Sequence, residues 1–417
     1  MSLWRSRRRK KRMSTALTNA ISLIEGNITT PLGFTAHGLH CGVRDQNKDL
    51  ALVLSDGPAT AAGMFTTNLV KAAPVLVCQE AVADGSARCF LVNSGNANAC
   101  TGDEGMRNAR EMVRLASQSL GLEDSEVLVC STGLIGRQLP MEKLRQGIPT
   151  LKSGLSRDGG QLAAEAIMTT DAFMKTQAAV VKTADGEYRV GGMAKGAGMI
   201  HPQLATTLGF LTTDAAVPPD LLRKALAQAM DASFNSITVD GDTSTNDTVL
   251  VLAGGASGAE ITEGESLEVF TEALRQVAQA LAKMVVRDGE GARRLVELVV
   301  TGAACNESAR QVADTIAGSL LFKTMLAGGE PNWGRVVAAA GRSGIFVEPH
   351  RMALWFGGVQ VLESGLGMDE HLAEAGAALQ APEVRIVLDL GMGEGEATIW
   401  TCDINEKYVV LNGSYMT

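Results

Sequence analysis

Two hydrophobic periods alternate along the chain. Short apolar runs rich in β-branched residues and bounded by Gly, Asp or Asn recur at VLVC (75–78), CFLVN (89–93), VLVC (127–130), TVLVLAG (248–254), LVELVVTG (295–302), VRIVLDLG (384–391), ATIWTCDI (397–404) and YVVLN (408–412). Each reads as a strand. Elsewhere the period lengthens. Over 266–287, Leu267, Phe270, Leu274, Val277, Leu281, Met284 and Val285 recur three or four apart, which predicts a helix stopped by Asp288-Gly289. A second helix is predicted after Pro218-Pro219-Asp220, with Leu221, Leu222, Ala225, Leu226 and Ala229 inward. A third is predicted to start at Ser308, with Gln311 closing a capping box and Val312, Ile316 and Leu320 inward. The pattern predicts a mixed α/β fold with sheets covered by helices. The last 35 or so residues read as paired strands, a hairpin or meander. The apolar ending YVVLNGSYMT predicts a C-terminus tied into the structure. No repeat, long linker or composition shift marks a domain boundary.

Composition bounds the core. The 417 residues are 46% hydrophobic and 20% charged, enough apolar material for one large domain or two medium ones. Aromatics are only 4%, so the core must be built from Ala, Val, Leu, Ile and Met. No apolar run approaches the roughly 20 residues of a membrane helix, so no membrane partner is expected. The formal charge of −9 hides an asymmetry. Residues 1–12 carry seven basic groups and no acid, and the rest has 30 basic against 46 acidic residues. So acidic a body argues against nucleic acid as partner. The basic head lacks the apolar region of a secretory signal. With the rest of residues 1–27 it reads as a disordered extension and entry, Met13 being an alternative start. Seven scattered cysteines without a CxxC pair predict reduced thiols and a cytoplasmic setting.

Candidate chemistry gathers in KGAGMIHPQLATTLGFLTTDA, Lys195 to Ala215, where Thr206 and Thr207 head an apolar run. Taken alone, Ala-Thr-Thr fits a helix N-cap. It also fits a nucleophile. A threonine hydroxyl needs an adjacent base. If the Ala205-Thr206 bond is cut, the new α-amine of Thr206 is that base, with an ordinary pKa of about 7.7–8.0. The same hydroxyl can make the cut by an N-to-O acyl shift and hydrolysis, small Ala205 leaving the carbonyl accessible. Thr132-Gly133, after the second VLVC, pairs a hydroxyl with a backbone N–H, as an oxyanion site requires; an ordinary strand-to-loop turn has the same look. Lys195 suits a substrate carboxylate or simple solvation. Glu290, flanked by glycines, suits a substrate ammonium group or a surface turn. His37-Gly-Leu-His40-Cys41 has zinc-ligand types but no second cluster to complete a tetrahedron, and it reads as a turn. DGDTSTND (240–247) begins like a calcium loop, but Thr245 and Val251 stand where glycine and glutamate are needed. Its side chains are expected to cap and turn the backbone. NSGNANACTG has no Walker-type GK[ST] and is expected to shape backbone near the site.

The segment GGMAKGAGMIHPQLATTLGFLTTDA (191–215) resembles the processing site of the ornithine acetyltransferases, the ArgJ family of glutamate N-acetyltransferases in arginine biosynthesis. NSGNANACTG (93–102), CSTGLIG (130–136), IMTTD (167–171), NSITVDGDTSTNDT (235–248), RDGEGA (287–292), PNWGR (331–335) and the ending YVVLNGSYMT resemble further family blocks in family order, covering nearly everything from residue 28. The resemblance implies an α+β fold, a layered αββα sandwich shared with self-cleaving aminopeptidases, with a smaller C-terminal lobe. It implies self-cleavage before Thr206 into an α chain ending at Ala205 (28–205 after the entry segment) and a β chain (206–417), paired as α2β2. Thr206 would take acetyl from N-acetylornithine and pass it to glutamate, with no metal or prosthetic group; acetyl-CoA is a further co-substrate in bifunctional members. Thr132 and Gly133 would form the oxyanion hole. Thr169, Lys195, Glu290, Asn412 and Thr417 would bind substrate. The family often has methionine where Leu204 and Thr207 stand here, which leaves donor preference open. The alternatives are an N-terminal-threonine amidohydrolase or aminopeptidase with water as acceptor, and a non-catalytic amino-acid binder on the same scaffold.

Overall fold

The computed structural model describes residues 20–183, 186–201 and 207–414. Among these, strands β1 (Ile21–Ile24), β2 (Phe34–Leu39), β3 (Leu50–Phe65), β4 (Ser86–Asn96), β5 (Val127–Leu134), β6 (Lys175–Thr183), β7 (Gly186–Lys195), β8 (Leu208–Thr213) and β10 (Thr248–Ala253) form a nine-stranded sheet ordered β1-β6-β7-β8-β10-β3-β4-β5, with β2 beside β3. The sixteen-residue β3 turns this sheet back on itself. Its last residues pair with β10, Phe65 opposite Thr248, while its first pair with β2 and β4, Leu50 opposite Leu39 and Asn93.

Side-chain alternation then makes four layers, since successive residues of a strand face opposite sides. Leu211, Val249 and Val251 face outward, onto the helices Pro219–Asp231 and Glu265–Arg287. Their neighbours Phe210, Leu250 and Leu252 face inward and meet Ala51, Val53, Phe90 and Leu128 of the other half. The rings of Phe90 and Phe210 lie 5.2 Å apart between the halves. The opposite faces of β3, β4 and β5, through Leu50, Leu91 and Val129, pack on the helices Gly102–Leu120 and Met141–Gly154. The expected αββα sandwich is therefore present. Its aliphatic seam matches the scarcity of aromatics.

The smaller C-terminal lobe is also present. Among the described residues a seven-stranded sheet runs β14 (Leu366–Gly367), β13 (Val359–Glu363), β12 (Ala353–Phe356), β15 (Glu383–Asp389), β11 (Leu295–Ala303), β16 (Gly395–Cys402) and β9 (Ile237–Thr238). One face buries Val296, Leu298, Val300, Ile386 and Leu388 against the helices Asn306–Ala317, Leu320–Gly328 and Trp333–Gly341. The lobes share β9: it edges this sheet, and the chain beyond it returns to the sandwich at β10. The predicted helix over 266–287 spans Glu265–Arg287 and buries Phe270, Leu274, Val277 and Leu281 completely. Each such side chain contributes about 1.5–3 kcal/mol relative to exposure.

Four expectations are corrected. VLVC at 75–78 lies in the helix Ala73–Ala81, with Pro74 in its first turn. YVVLN at 408–412 lies in a terminal helix, Glu406–Ser414, whose side chains are largely exposed. The C-terminal strands are not a hairpin, because β11 separates β15 from β16. The helix predicted from Ser308 starts at Asn306 and ends at Ala317, so Leu320, expected inward on it, opens the next helix and is exposed; Gln311 donates to the Ser343 carbonyl instead of closing a capping box. Of the His37–Cys41 stretch, expected to turn, His37 to Leu39 belong to β2, and the chain bends only from His40 onward, where the Asp49 carboxylate accepts from the backbone N–H of Cys41, Gly42 and Arg44. Among the described residues, no helix is long and apolar enough to cross a membrane.

Candidate functional site

Those site residues singled out from sequence that lie among the described residues converge on one edge of the sandwich. β7 ends at Lys195 and β8 begins at Leu208, and these two residues face each other across the antiparallel pair. Leu208 also faces Thr248 at the start of β10, which faces Phe65 at the end of β3. From the other layer, β5 brings Thr132 to the same place. Lys195 Nζ donates to Thr132 Oγ1 at 3.2 Å, both side chains being buried. An ammonium group only donates, so the Thr132 oxygen is the acceptor and its own hydrogen is free to point elsewhere. The neighbouring amide belongs to Gly133, which has a φ of +130°. A Cβ there would overlap the Gly95 carbonyl carbon and the Asn96 amide nitrogen of β4. Glycine is thus required both by conformation and by the closeness of β4 and β5.

Two loops bring opposite charges to Lys195. Glu290 lies just past the end of the long helix; its N–H donates to the Ala197 carbonyl at 2.9 Å, and Asn412 Nδ2 donates to its Oε2 at 2.7 Å. Its carboxyl lies over Gly198, where a Cβ would come within 2.8 Å of it. Asp171 binds Gly196 N at 2.7 Å through Oδ1 and Thr169 N at 2.9 Å through Oδ2. The Thr169 carbonyl accepts from Arg44. Thr132, Gly133, Thr169, Lys195, Glu290 and Asn412 therefore lie in one connected neighbourhood. Ala205, Thr206 and Thr417 lie outside the described residues.

Thr207, two residues past Ala205, lies at the head of β8. It is buried, and its N–H donates to Asp247 Oδ1 at 2.9 Å. Among the described residues, neither Thr207 Oγ1 nor Asp247 Oδ2 has a hydrogen-bond partner, although both are buried. Burial pushes the Asp247 carboxyl well above the usual range, against the pull of the Thr207 and Ser244 amides and of Lys195. Asn246 Nδ2 donates to the Ala97 and Ser131 carbonyls at 2.7 and 2.8 Å, pinning the segment before β10 to β5 and to the NSGNANACTG turn. Asp240 accepts from Met199 N at 2.6 Å and Ile200 N at 2.9 Å, and Met199 has a φ of +58°. The acidic segment 240–247 thus caps backbone around the site, as its composition suggests.

Sequence reading missed three groups. Asp171, Lys175 and Asp288 form a buried ion triad, with Lys175 Nζ 2.6 Å from each carboxylate. Asp171 and Asp288 stand inside the family-like blocks IMTTD and RDGEGA, beside Thr169 and Glu290, but nothing local marks them as partners of Lys175. Burial works to raise the Asp171 carboxyl, yet Lys195, Lys175 and the Gly196 amide outweigh it and hold it at about 2. For Asp288 burial prevails over Lys175 and the carboxyl is pushed up. Burial likewise pushes the Lys195 ammonium down, offset in part by Asp171, Asp247 and Glu290.

The Asp171 shift has a measurable sign. A carboxylate whose pKa is lower in the folded state than its ordinary 3.8 stabilises the fold above that value and loses the contribution as pH falls toward 2. About 2 kcal/mol is expected to disappear between pH 4 and 2. Denaturant unfolding at stepped pH checks it: Asp171→Asn should flatten the acid limb relative to wild type.

Known proteins resemble the chain along most of its length. The ArgJ family model matches residues 35–417. An arginine biosynthesis bifunctional protein ArgJ from Symbiobacterium thermophilum is 48% identical over 399 residues, 94% of this chain and 99% of that protein. Its namesake from Chlorobaculum tepidum is 47% identical over 388 residues, 92% of this chain and 96% of the relative. A solved chain of ornithine acetyltransferase from Mycobacterium tuberculosis, complexed with ornithine, is 41% identical, covers 44% of this chain and 98% of its own, and superposes with a TM-score of 0.42. On the span of the family model and the identity of relatives along almost its full length, the chain belongs to the ArgJ family.

Proposed function

We infer that the chain is an ornithine acetyltransferase of arginine biosynthesis that cuts itself between Ala205 and Thr206. The observation that carries this reading is the contact of Lys195 with Thr132 beside Gly133, at the edge where β8 begins one residue after Thr207. Family membership and the relatives' names support it.

Cleavage gives an α chain ending at Ala205 and a β chain beginning at Thr206. The Thr206 α-amine takes the hydroxyl proton as Oγ attacks the acetyl carbonyl of N-acetylornithine. The Thr132 hydroxyl and Gly133 N–H donate to the resulting oxyanion, an arrangement worth a few kcal/mol per donor. Collapse returns the proton to the departing α-amine of ornithine and leaves Thr206 acetylated. The α-amine of glutamate then attacks the ester, and N-acetylglutamate leaves with Thr206 restored. Lys195 neutralises the substrate carboxylate. Glu290, oriented by Asn412, meets the ornithine side-chain ammonium, with Thr169 and Thr417 completing the pocket. Acetyl-CoA serves as a second acetyl donor, in keeping with the bifunctional relatives. The working assembly is α2β2.

The test is a product assay on purified protein. Acetylornithine with glutamate should give N-acetylglutamate in step with ornithine, and Edman degradation should find a chain starting Thr-Thr-Leu-Gly. Free acetate in place of N-acetylglutamate would instead identify a hydrolase.

A further inference from the structure

Lys175 is the first residue of β6 and is fully buried. A lone ammonium group is costly in such a place, so its three protons need partners. They find Asp171 Oδ1 at 2.6 Å, Asp288 Oδ2 at 2.6 Å and the Phe173 carbonyl at 3.3 Å. The Phe173 ring covers the ammonium, its centre 4.9 Å away. Each carboxylate in turn holds backbone. Asp171 fixes Thr169 N and Gly196 N, and Asp288 fixes Ala172 N at 2.9 Å. One ammonium thereby ties together three segments: the turn carrying Thr169, the strand end carrying Lys195, and the helix end two residues before Glu290.

These segments do not all belong to the same polypeptide once the chain is cut. Residues 169–196 precede Ala205 and Asp288 comes after Thr206, so the pair between Lys175 and Asp288 crosses from α chain to β chain. We propose that Lys175 is a positioning residue, a buried electrostatic clamp that holds the substrate-facing loops of the two cleavage products in register without touching substrate. The proposal rests on self-cleavage and acetyl transfer at Thr206.

The clamp predicts how activity is lost. Thr169, Lys195 and Glu290 would bind substrate rather than react, so loosening them should weaken substrate binding more than turnover. The variant of choice is Asp288→Asn, which keeps volume and an acceptor for Ala172 N but removes the charge. Lys175→Met, which strands two buried carboxylates, is the harsher companion. On the cleaved Asp288→Asn protein, KM for both acetylornithine and glutamate is expected to rise about tenfold or more, with kcat within about threefold of wild type. Calorimetric titration with ornithine should show the same weakening in Kd, and Asp288→Glu should recover part of it. Unchanged KM and Kd in a cleaved protein with a wild-type melting curve would overturn the clamp, as would a loss of kcat alone. Should wild type itself make no N-acetylglutamate, the acetyl-transfer reading fails separately, and the ornithine titration still decides the clamp.

Discussion

Replacing Thr206 with alanine is expected to leave one polypeptide of 43.7 kDa with no acetyl transfer, where wild type shows two chains of similar size on a denaturing gel. The substitution removes the only oxygen that both reactions would use. It attacks the preceding carbonyl in the cut and the acetyl carbon in turnover, and without the cut there is no α-amine to act as base. The loss should therefore not be graded. Removal of a nucleophile in comparable enzymes costs on the order of 10^4-fold or more, with the oxyanion donors and binding groups giving the residue. The melting temperature should stay close to wild type, because Thr207 keeps its bond to Asp247 and the buried clusters on both sides of the sandwich are untouched. Thr206→Ser retains an oxygen on Cβ and is expected to cleave. An alanine variant that still appears as two chains starting at residue 206 would remove the basis of the mechanism.

The second large effect is expected from Gly133→Ala, one methyl group and no change of charge. The added Cβ must enter the space of the Gly95 and Asn96 backbone, and the φ of +130° is one that side chains rarely adopt. Both strains would push β5 away from β4 at the residue proposed to donate its N–H to the oxyanion. Backbone strain of this kind costs about 1–3 kcal/mol, so the fold should survive with a lowered melting temperature. Activity should suffer far more, because a displaced oxyanion donor costs about 10^2–10^3 in kcat. Parallel measurement of kcat and the melting curve separates the two: a fall in stability with kcat preserved would place the oxyanion donors elsewhere.

The fold is legible where a run is long enough to show its period. The strands at 248–254, 295–302, 384–391 and 397–404 fall where alternation with β-branched residues predicts, and the helix after 266 spans the predicted turns. The failures are short. VLVC at 75–78 comes after two alanines and a proline, and Pro74 in the first helical turn is the sign that a strand reading overlooks. A four-residue apolar run suits a buried strand and a buried helix face equally. YVVLN at 408–412 is held helical by contacts that sequence alone hides: Asn405 Oδ1 accepts from Lys407 N, Arg293 pairs with Glu406, and Asn412 reaches Glu290.

The site divides the same way. Thr132, Gly133, Lys195 and Glu290 are single residues whose chemistry can be named but whose company cannot, and only the resemblance of whole blocks groups them. Lys175 carries no mark at all. Its partner Asp288 lies 113 positions away, and a buried ion pair leaves no periodic trace.

If the chain is cut between β7 and β8 as proposed, the placement of that junction gives the mature enzyme a thermal history. These are hydrogen-bonded neighbours in mid-sheet, Lys195 against Leu208, so severing the link between them frees neither strand. Before the cut, their pairing closes a short loop, at a modest entropic cost. After it, the same pairing in an unfolded sample is a meeting of two molecules, slowed by dilution and penalised by lost translational freedom. On that cleavage the intact precursor would be a single-use template: it would bring the strands together once, and a mature enzyme that melts would cool along a different path from the one by which it first formed.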